Sequence, residues 1–175
     1  MKRKGHMPSV QRRAIRTTVL LVGEGYAEVA FLKHLKSLYV TRGMRVHIQI
    51  FNAYGKGAAN VVGVAIRHSL NASYDRKAAL LDTDTDWTED AKISAKNSGI
   101  TVFASSPCLE AMLLKIKEIA PRGSTSAALK KRLLQSLEYS ADNPNLYARH
   151  FDQATIENAR TRIAELDGLI KLIIP

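Results

Sequence analysis

Residues 17–28 read TTVLLVGEGYAE, and this stretch decides the fold because a strand pattern passes directly into a helix pattern. The β-branched and leucine run over residues 17–22 predicts a buried strand. Two glycines flank Glu24 and let the backbone bend tightly after that strand. Apolar side chains then recur at the helical period, which predicts an amphipathic helix over residues 28–40.

The rest of the chain repeats this alternation of strand and helix. We predict further strands over residues 45–51, 77–81 and 100–104, and further helices over residues 58–69, 89–97, 125–137 and 153–172. One more helix is predicted to start with Ser106 as its cap and Pro107 at its first position. The alternation predicts an α/β fold with a mainly parallel central sheet of about four strands, helices on both faces and a helical C-terminal part. The length fits one domain, placed at residues 17–175.

Acidic residues follow three of the predicted strands, at the edge where parallel α/β sheets collect their functional groups. Glu24 and Glu28 follow the first strand. The third strand runs into Asp82 and Asp84, whose alternate spacing points both side chains to one side of an extended chain. Glu110 lies early in the helix that follows the fourth strand. Glu28 and Glu110 can also be interpreted as carboxylates that complement a helix dipole.

These acidic clusters fit a site for a divalent cation such as Mg²⁺ or Mn²⁺. They fit less well with a calcium EF-hand, a haloacid-dehalogenase phosphatase motif or a dinucleotide-binding loop. Crowded carboxylates repel unless a proton or cation intervenes, and hard oxygen ligands favour Mg²⁺ or Mn²⁺. A calcium EF-hand is excluded, because Trp87 occupies its glycine position and Ile93 its final glutamate position. A haloacid-dehalogenase phosphatase motif normally has Thr or Val where Asp86 stands. A dinucleotide-binding loop is also excluded, because Glu28 replaces its third glycine.

Four segments of the chain resemble the RloB family, whose members are Toprim-like proteins related to the overcoming-lysogenisation-defect nucleases. In the family's order they are VGEGYAEVAFLKHL (22–35), NAYGKGAANVVGVAI (52–66), ALLDTDTDW (79–87) and SSPCLEAMLL (105–114). In this resemblance Glu24 corresponds to the motif glutamate, and Asp82 and Asp84 correspond to the aspartate pair. Glu28 resembles a second glutamate of the related nucleases, and Glu110 matches the acid of a Pro-Cys-aromatic-Glu motif.

The resemblance implies a Toprim-like Rossmannoid three-layer fold and a metal-dependent nuclease that cleaves phosphodiester bonds in DNA or RNA. It implies Mg²⁺ or Mn²⁺ as the cofactor and a phage-defence or restriction-linked setting. The implied catalytic residues are Glu24, Asp82 and Asp84. The implied metal ligands are these three residues together with Glu28 and Glu110.

The chain departs from the family pattern in the helix that carries Glu110. An aromatic residue is usual where Leu109 stands, Trp where Met112 stands and His where Ile116 stands. The resemblance therefore assigns that helix no catalytic role beyond Glu110. Two alternative functions stay open: a non-catalytic nucleic-acid-binding or interaction subunit of a defence system, and a small-molecule phosphatase.

Positive charge is concentrated at the start of the chain. Residues 1–16 supply +6 of the net charge of +10 and contain no acid; their basic residues are Lys2, Arg3, Lys4, Arg12, Arg13 and Arg16. Such a segment has little to bury, so we predict a flexible tail that binds nucleic acid by releasing counterions. A solubilising tail is the alternative. Lys56, between two glycines, is predicted to contact phosphate as a point charge, with a solvated turn as its alternative.

The composition also indicates a compartment. Cys108 is the only cysteine, so no internal disulfide can form, and a reducing, cytoplasmic setting is expected. No apolar run reaches the roughly 18 residues that span a bilayer, so no membrane association is expected. A homodimer and a partner protein from a defence operon both remain open.

Removal of residues 1–16 is expected to leave the fold intact and to weaken nucleic-acid binding. Each lost phosphate contact should reduce the slope of log affinity against log salt by about 0.7–0.9. Fluorescence anisotropy across a salt series measures this slope. A variant of unchanged length with the six basic residues replaced by Gln controls for chain length. An unchanged affinity and slope in both variants would show that the tail serves only solubility.

Overall fold

A computed structural model describes residues 17–83, 87–123 and 125–174. Asp84 and the basic residues of the tail lie outside these ranges, so their predicted roles stay predictions. The elements in chain order are β1 Thr17–Gly23, α1 Tyr26–Tyr39, β2 Val46–Asn52, α2 Gly57–Asn71, β3 Arg76–Asp82, α3 Glu89–Asn97, β4 Thr101–Ser105, α4 Leu109–Ile116, α5 Ser126–Leu137, α6 Pro144–His150, α7 Gln153–Arg160 and α8 Ala164–Ile173.

The four strands form one parallel sheet in the order β2-β1-β3-β4. Strand β1 pairs with β2 on one side and with β3 on the other, and β3 pairs with β4. The strands that end near Glu24 and Asp82 are therefore adjacent and parallel, as the acidic strand ends predict. All four carboxyl ends meet at one edge of the sheet.

Alternate residues of the central strands enter two separate cores. Val19 and Leu21 pack with helices α1 and α4 to α8 on one face. Leu20 and Val22 pack with α2 and α3 on the other face. Burial on both faces explains why β1 is a continuous apolar run rather than an alternating one. The predicted α/β three-layer architecture with a helical C-terminal part is thus confirmed.

The prediction that Ser106 caps a helix and Pro107 opens it is wrong. Helix α4 begins at Leu109, and Cys108 is its N-cap. The carbonyl groups of Ser105 and Pro107 both accept from the backbone N–H of Thr83, at 3.0 and 3.2 Å. This segment is held against the end of β3, so the helix begins two residues later than its sequence signal.

The single helix predicted over residues 153–172 is also wrong, because the chain bends between α7 and α8. Ile163 is the N-cap of α8 in an extended conformation. Arg160 contacts Glu157 within α7 and Asp167 within α8, both at 3.0 Å, and so joins the two helices across the bend. Helix α6 was not anticipated, although Asn143 and Pro144 form an ordinary start signal.

In the described ranges, no helix is long and apolar enough to cross a membrane.

Gly23→Ala is expected to destabilise the protein by about 1–3 kcal/mol, because overpacking forces backbone shifts. An added Cβ would lie 2.9 Å from the Glu28 Cβ and 2.9 Å from the Val29 backbone nitrogen. Urea denaturation measures the change. Gly63→Ala in α2 is the matched control, since its nearest contact is the end of the flexible Arg67 side chain at 3.4 Å. The control should gain about 0.5–1 kcal/mol, and equal stability of the two variants would contradict this packing.

Candidate active site

Glu24 lies immediately after β1 and reaches across to the end of β3. Its backbone N–H donates to the carbonyl oxygen of Leu80 at 3.1 Å. Its side-chain Oε2 accepts from the backbone N–H of Asp82 at 3.0 Å. The two predicted acidic strand ends therefore meet in one site, with the carboxylate of Glu24 fixed against the backbone of Asp82.

Asp82 connects this pair to the third acidic cluster. It is the last residue of β3, and its Oδ1 accepts from the backbone N–H of Leu109 at 2.9 Å. That N–H belongs to the first residue of α4 and has no partner within its own helix. The carboxylate of Asp82 thus holds the start of α4, which brings Glu110 towards the site.

Glu28 and Glu110 are the two acids that the structure buries most deeply, at 6 % and 5 % exposure. Glu28 lies in the first turn of α1, and its Oε2 accepts from the backbone N–H of Gly25 at 2.7 Å. Glu110 lies in the first turn of α4 and lines a cleft of about 260 Å³ with Tyr26 and Lys130. Each is helix-terminal as expected, but this much burial exceeds what a dipole-complementing carboxylate needs.

Burial and the crowding of acids at this site raise the pKa of two of them, Asp82 and Glu28. Burial raises the pKa of Asp82 to about 8, and the negative charges of Glu28, Glu110 and Glu24 add to the effect. Burial also raises the pKa of Glu28, with smaller contributions from the charges of Glu110 and Glu24, while backbone hydrogen bonds oppose the shift. Glu24, Glu28, Asp82 and Glu110 therefore share one electrostatic environment.

Within the described ranges, these four acids are not paired with basic side chains. None of the ion pairs formed between described residues includes Glu24, Glu28, Asp82 or Glu110. Buried carboxylates without a basic partner need a proton or a cation to offset their repulsion. The chemistry of the donor set, hard oxygen atoms of several carboxylates, fits Mg²⁺ or Mn²⁺.

The geometry for a metal ion is incomplete in the described part of the chain. There, no three side chains of His, Cys, Asp or Glu converge as the ligands of one ion. Glu24, Glu28 and Asp82 each use one carboxylate oxygen to accept a backbone N–H. Asp84, the remaining predicted ligand, lies outside the described residues.

The loop that carries Lys56 lies beside Glu24. The backbone N–H of Gly55 donates to the carbonyl oxygen of Glu24 at 2.8 Å. Lys56 is the N-cap of α2 in a left-handed conformation with φ of 70°, and its side chain is exposed. Its position beside the acidic cluster is compatible with a phosphate contact, which stays a prediction.

Sequence reasoning missed two tyrosines at this edge of the sheet. Tyr26 and Tyr54 are 69 % and 71 % exposed, and their ring centroids lie 6.1 Å apart. Their positions inside GEGYAE and NAYGKG were the available signal, but only the fold brings the two rings together. Trp87 is partly buried and packs against the core beneath α2 and α3.

Cys108 is buried, as expected for a non-nucleophilic thiol. Burial raises its pKa to about 11, with a further contribution from Glu110. A thiol with so high a pKa stays protonated at neutral pH and is a poor nucleophile. The chemistry of the site therefore depends on its carboxylates.

Comparison of the chain with protein-family models, with curated proteins and with solved structures found no match.

Without a divalent cation, the free energy of unfolding is expected to fall as the pH rises from about 4 to about 8. Folded Asp82 keeps its proton up to about pH 8, whereas in the unfolded chain it ionises near its ordinary value of 3.8. The folded state therefore binds the extra proton, and raising the pH removes that stabilisation. Asp82→Asn should flatten the profile and stabilise the protein at pH 8 by about 1–3 kcal/mol. Urea denaturation in EDTA at several pH values measures both effects.

Asp75→Asn is the control, because the pKa of Asp75 is shifted in the opposite direction from that of Asp82. The backbone and hydroxyl of Thr18 donate to the Asp75 carboxylate at 2.7 and 2.8 Å, which lowers the pKa of Asp75. Its stabilising effect is therefore present above the unfolded pKa and is lost as the pH falls through the folded pKa. If Asp82→Asn left the profile as steep as that of the wild type, the raised pKa of Asp82 would be contradicted.

Proposed function

We propose that this protein is a metal-dependent nuclease that hydrolyses phosphodiester bonds in DNA or RNA. The observation that carries the proposal is the gathering of four carboxylates at one edge of a parallel sheet, where none of them forms an ion pair with a basic side chain of residues 17–83, 87–123 or 125–174. Protein stability alone does not favour such a cluster, because desolvation and the neighbouring negative charges raise the pKa of Asp82 and of Glu28 and so oppose their ionisation.

The donor set suits Mg²⁺ or Mn²⁺ held by Glu24, Asp82 and Asp84, with Glu28 and Glu110 as further ligands. When bound, such an ion polarises a phosphate group and stabilises the leaving oxygen. Glu24 has one oxygen on the backbone N–H of Asp82, which fixes its orientation. The same hydrogen bond suits Glu24 for an alternative role as a general acid or base.

The remaining charged groups support a polyanionic substrate. Lys56 is exposed beside Glu24 and suits a phosphate contact. Residues 1–16 add six basic residues, which suit binding along a nucleic-acid backbone. A small-molecule phosphatase has less use for so extended a positive segment.

The proposal extends to the family and its setting. The parallel sheet, and the acids after β1, after β3 and in α4, agree with the pattern that the RloB resemblance implies. We therefore assign the chain to a Toprim-type nuclease of a phage-defence or restriction-linked system. Such a system acts on nucleic acid in the cytoplasm.

Asp82→Asn and Asp84→Asn are each expected to abolish Mg²⁺-dependent cleavage, with a loss of at least about 100-fold. Each change removes a charged ligand while also relieving repulsion, so neither should unfold the protein. A cleavage assay on plasmid, single-stranded DNA and RNA, with thermal melts in the presence and absence of Mg²⁺, measures both consequences. A generic phosphomonoester run beside them tests for a phosphatase.

Glu165→Gln removes an exposed carboxylate from α8 and is the matched control. It should keep wild-type cleavage and the wild-type response of the melting temperature to Mg²⁺. The metal site is wrong if either aspartate variant cleaves like the wild type, or if stability and activity are lost together. Turnover of the phosphomonoester with no cleavage of nucleic acid would instead identify a phosphatase.

A further inference from the structure

The most unusual surface feature beside the carboxylates is a pair of exposed aromatic rings. Six large apolar or aromatic side chains are exposed in the described part of the chain, and the two aromatic ones are Tyr26 and Tyr54. They come from different elements yet contact each other edge to face, with ring planes at 76°. Large rings left in solvent at one place favour a binding surface over chance exposure.

Both rings belong to segments that lie next to the backbone of Glu24. Tyr26 opens α1 two residues after Glu24. Tyr54 lies in the loop whose Gly55 N–H donates to the carbonyl oxygen of Glu24 at 2.8 Å. The backbone N–H of Tyr54 also donates to Oδ1 of Asn52 at 2.7 Å, and its φ of 59° is rare for a bulky residue. The loop thus holds the second ring at the edge of the carboxylate cluster.

Two clefts that each carry a lysine adjoin the ring of Tyr26. Tyr26 lines a cleft of about 440 Å³ with Lys33, and a second cleft of about 260 Å³ with Lys130 and Glu110. Lys33, Lys56 and Lys130 all have exposed side chains. Aromatic faces interleaved with ammonium groups are the surface that binds unpaired nucleic acid, because bases stack on the rings while phosphates meet the cations.

We infer that Tyr26 and Tyr54 form a base-stacking platform, and that the substrate of the adjacent carboxylates is single-stranded nucleic acid. Within a duplex, bases already stack on one another and their faces are closed to protein side chains. Because the two rings stand at 76°, bases stacked on both cannot be parallel, so a bound strand bends between them. The statement about the substrate of the carboxylates rests on the proposed nuclease function. The stacking platform does not, because binding alone defines it.

The test measures binding and cleavage separately on the full chain. In EDTA, anisotropy compares labelled single-stranded DNA, single-stranded RNA of the same sequence and duplex DNA, each of about 12 nucleotides, a length that an ssDNA-binding groove covers. Oligonucleotides that carry 2-aminopurine report stacking, because a ring against the base quenches its fluorescence. Cleavage in Mg²⁺ is then followed on the same three substrates.

Tyr26→Ala and Tyr54→Ala should each weaken single-strand binding at least about fivefold and relieve the quenching. Tyr26→Phe and Tyr54→Phe keep the ring and should bind like the wild type. Leu70→Ala is the matched control, since Leu70 is 81 % exposed and lies near the opposite end of α2. Melting curves and circular dichroism confirm that the variants fold.

Three results would overturn the platform. They are wild-type binding by both alanine variants, duplex binding as tight as single-strand binding by the wild type, and alanine variants that change only self-association in sedimentation. If binding depends on the tyrosines and is tighter for single-stranded RNA than for single-stranded DNA, or the reverse, the platform is supported and the tighter ligand identifies the substrate. If binding depends on the tyrosines but no substrate is cleaved, the platform is supported and the proposed nuclease activity is contradicted. Cleavage of nucleic acid combined with wild-type binding by both alanine variants supports the nuclease and contradicts the platform.

Discussion

The hydrogen bonds that converge on Asp82 hold the functional edge of this protein together. Its backbone N–H donates to Glu24 at 3.0 Å, and its carboxylate accepts from Leu109 at 2.9 Å. Three segments that follow β1, β3 and β4 are thereby joined at one point. The start of α4, the orientation of Glu24 and the approach of Glu110 all depend on these two contacts.

This arrangement stabilises the backbone but concentrates negative charge. Asp82 satisfies an N–H that α4 cannot satisfy itself, which contributes about 1 kcal/mol for a typical cap. The same carboxylate is half-buried near three others, and desolvation together with their charges raises its pKa to about 8. None of these acids forms an ion pair with a basic side chain in the part of the chain that the structure describes. The exposed rings of Tyr26 and Tyr54 lie at the same edge of the sheet.

The local pattern of the sequence predicted the fold well because periodicity is a local property. The strand ending before Glu24 and the strand ending at Asp82 were both recognisable, and their parallel neighbours followed from the alternation with helices. The start of α4 was mispredicted because the Ser105 and Pro107 carbonyl groups are engaged by Thr83, a partner far away in sequence. The bend after Arg160 was missed for the same kind of reason, since ion pairs across two helices leave no local signal.

For the site, the sequence alone determined which acids stand at the ends of which strands, because strand ends and acidic residues are both visible in a linear pattern. Only the tertiary structure decided how deeply Glu28 and Glu110 are buried and which oxygen atoms are engaged. It also decided that Tyr26 and Tyr54 meet. The contacts that Asp82 makes join residues 58 and 27 positions apart in the chain. Burial, hydrogen bonding and pKa shifts of this kind arise from packing between distant segments, which no local pattern encodes.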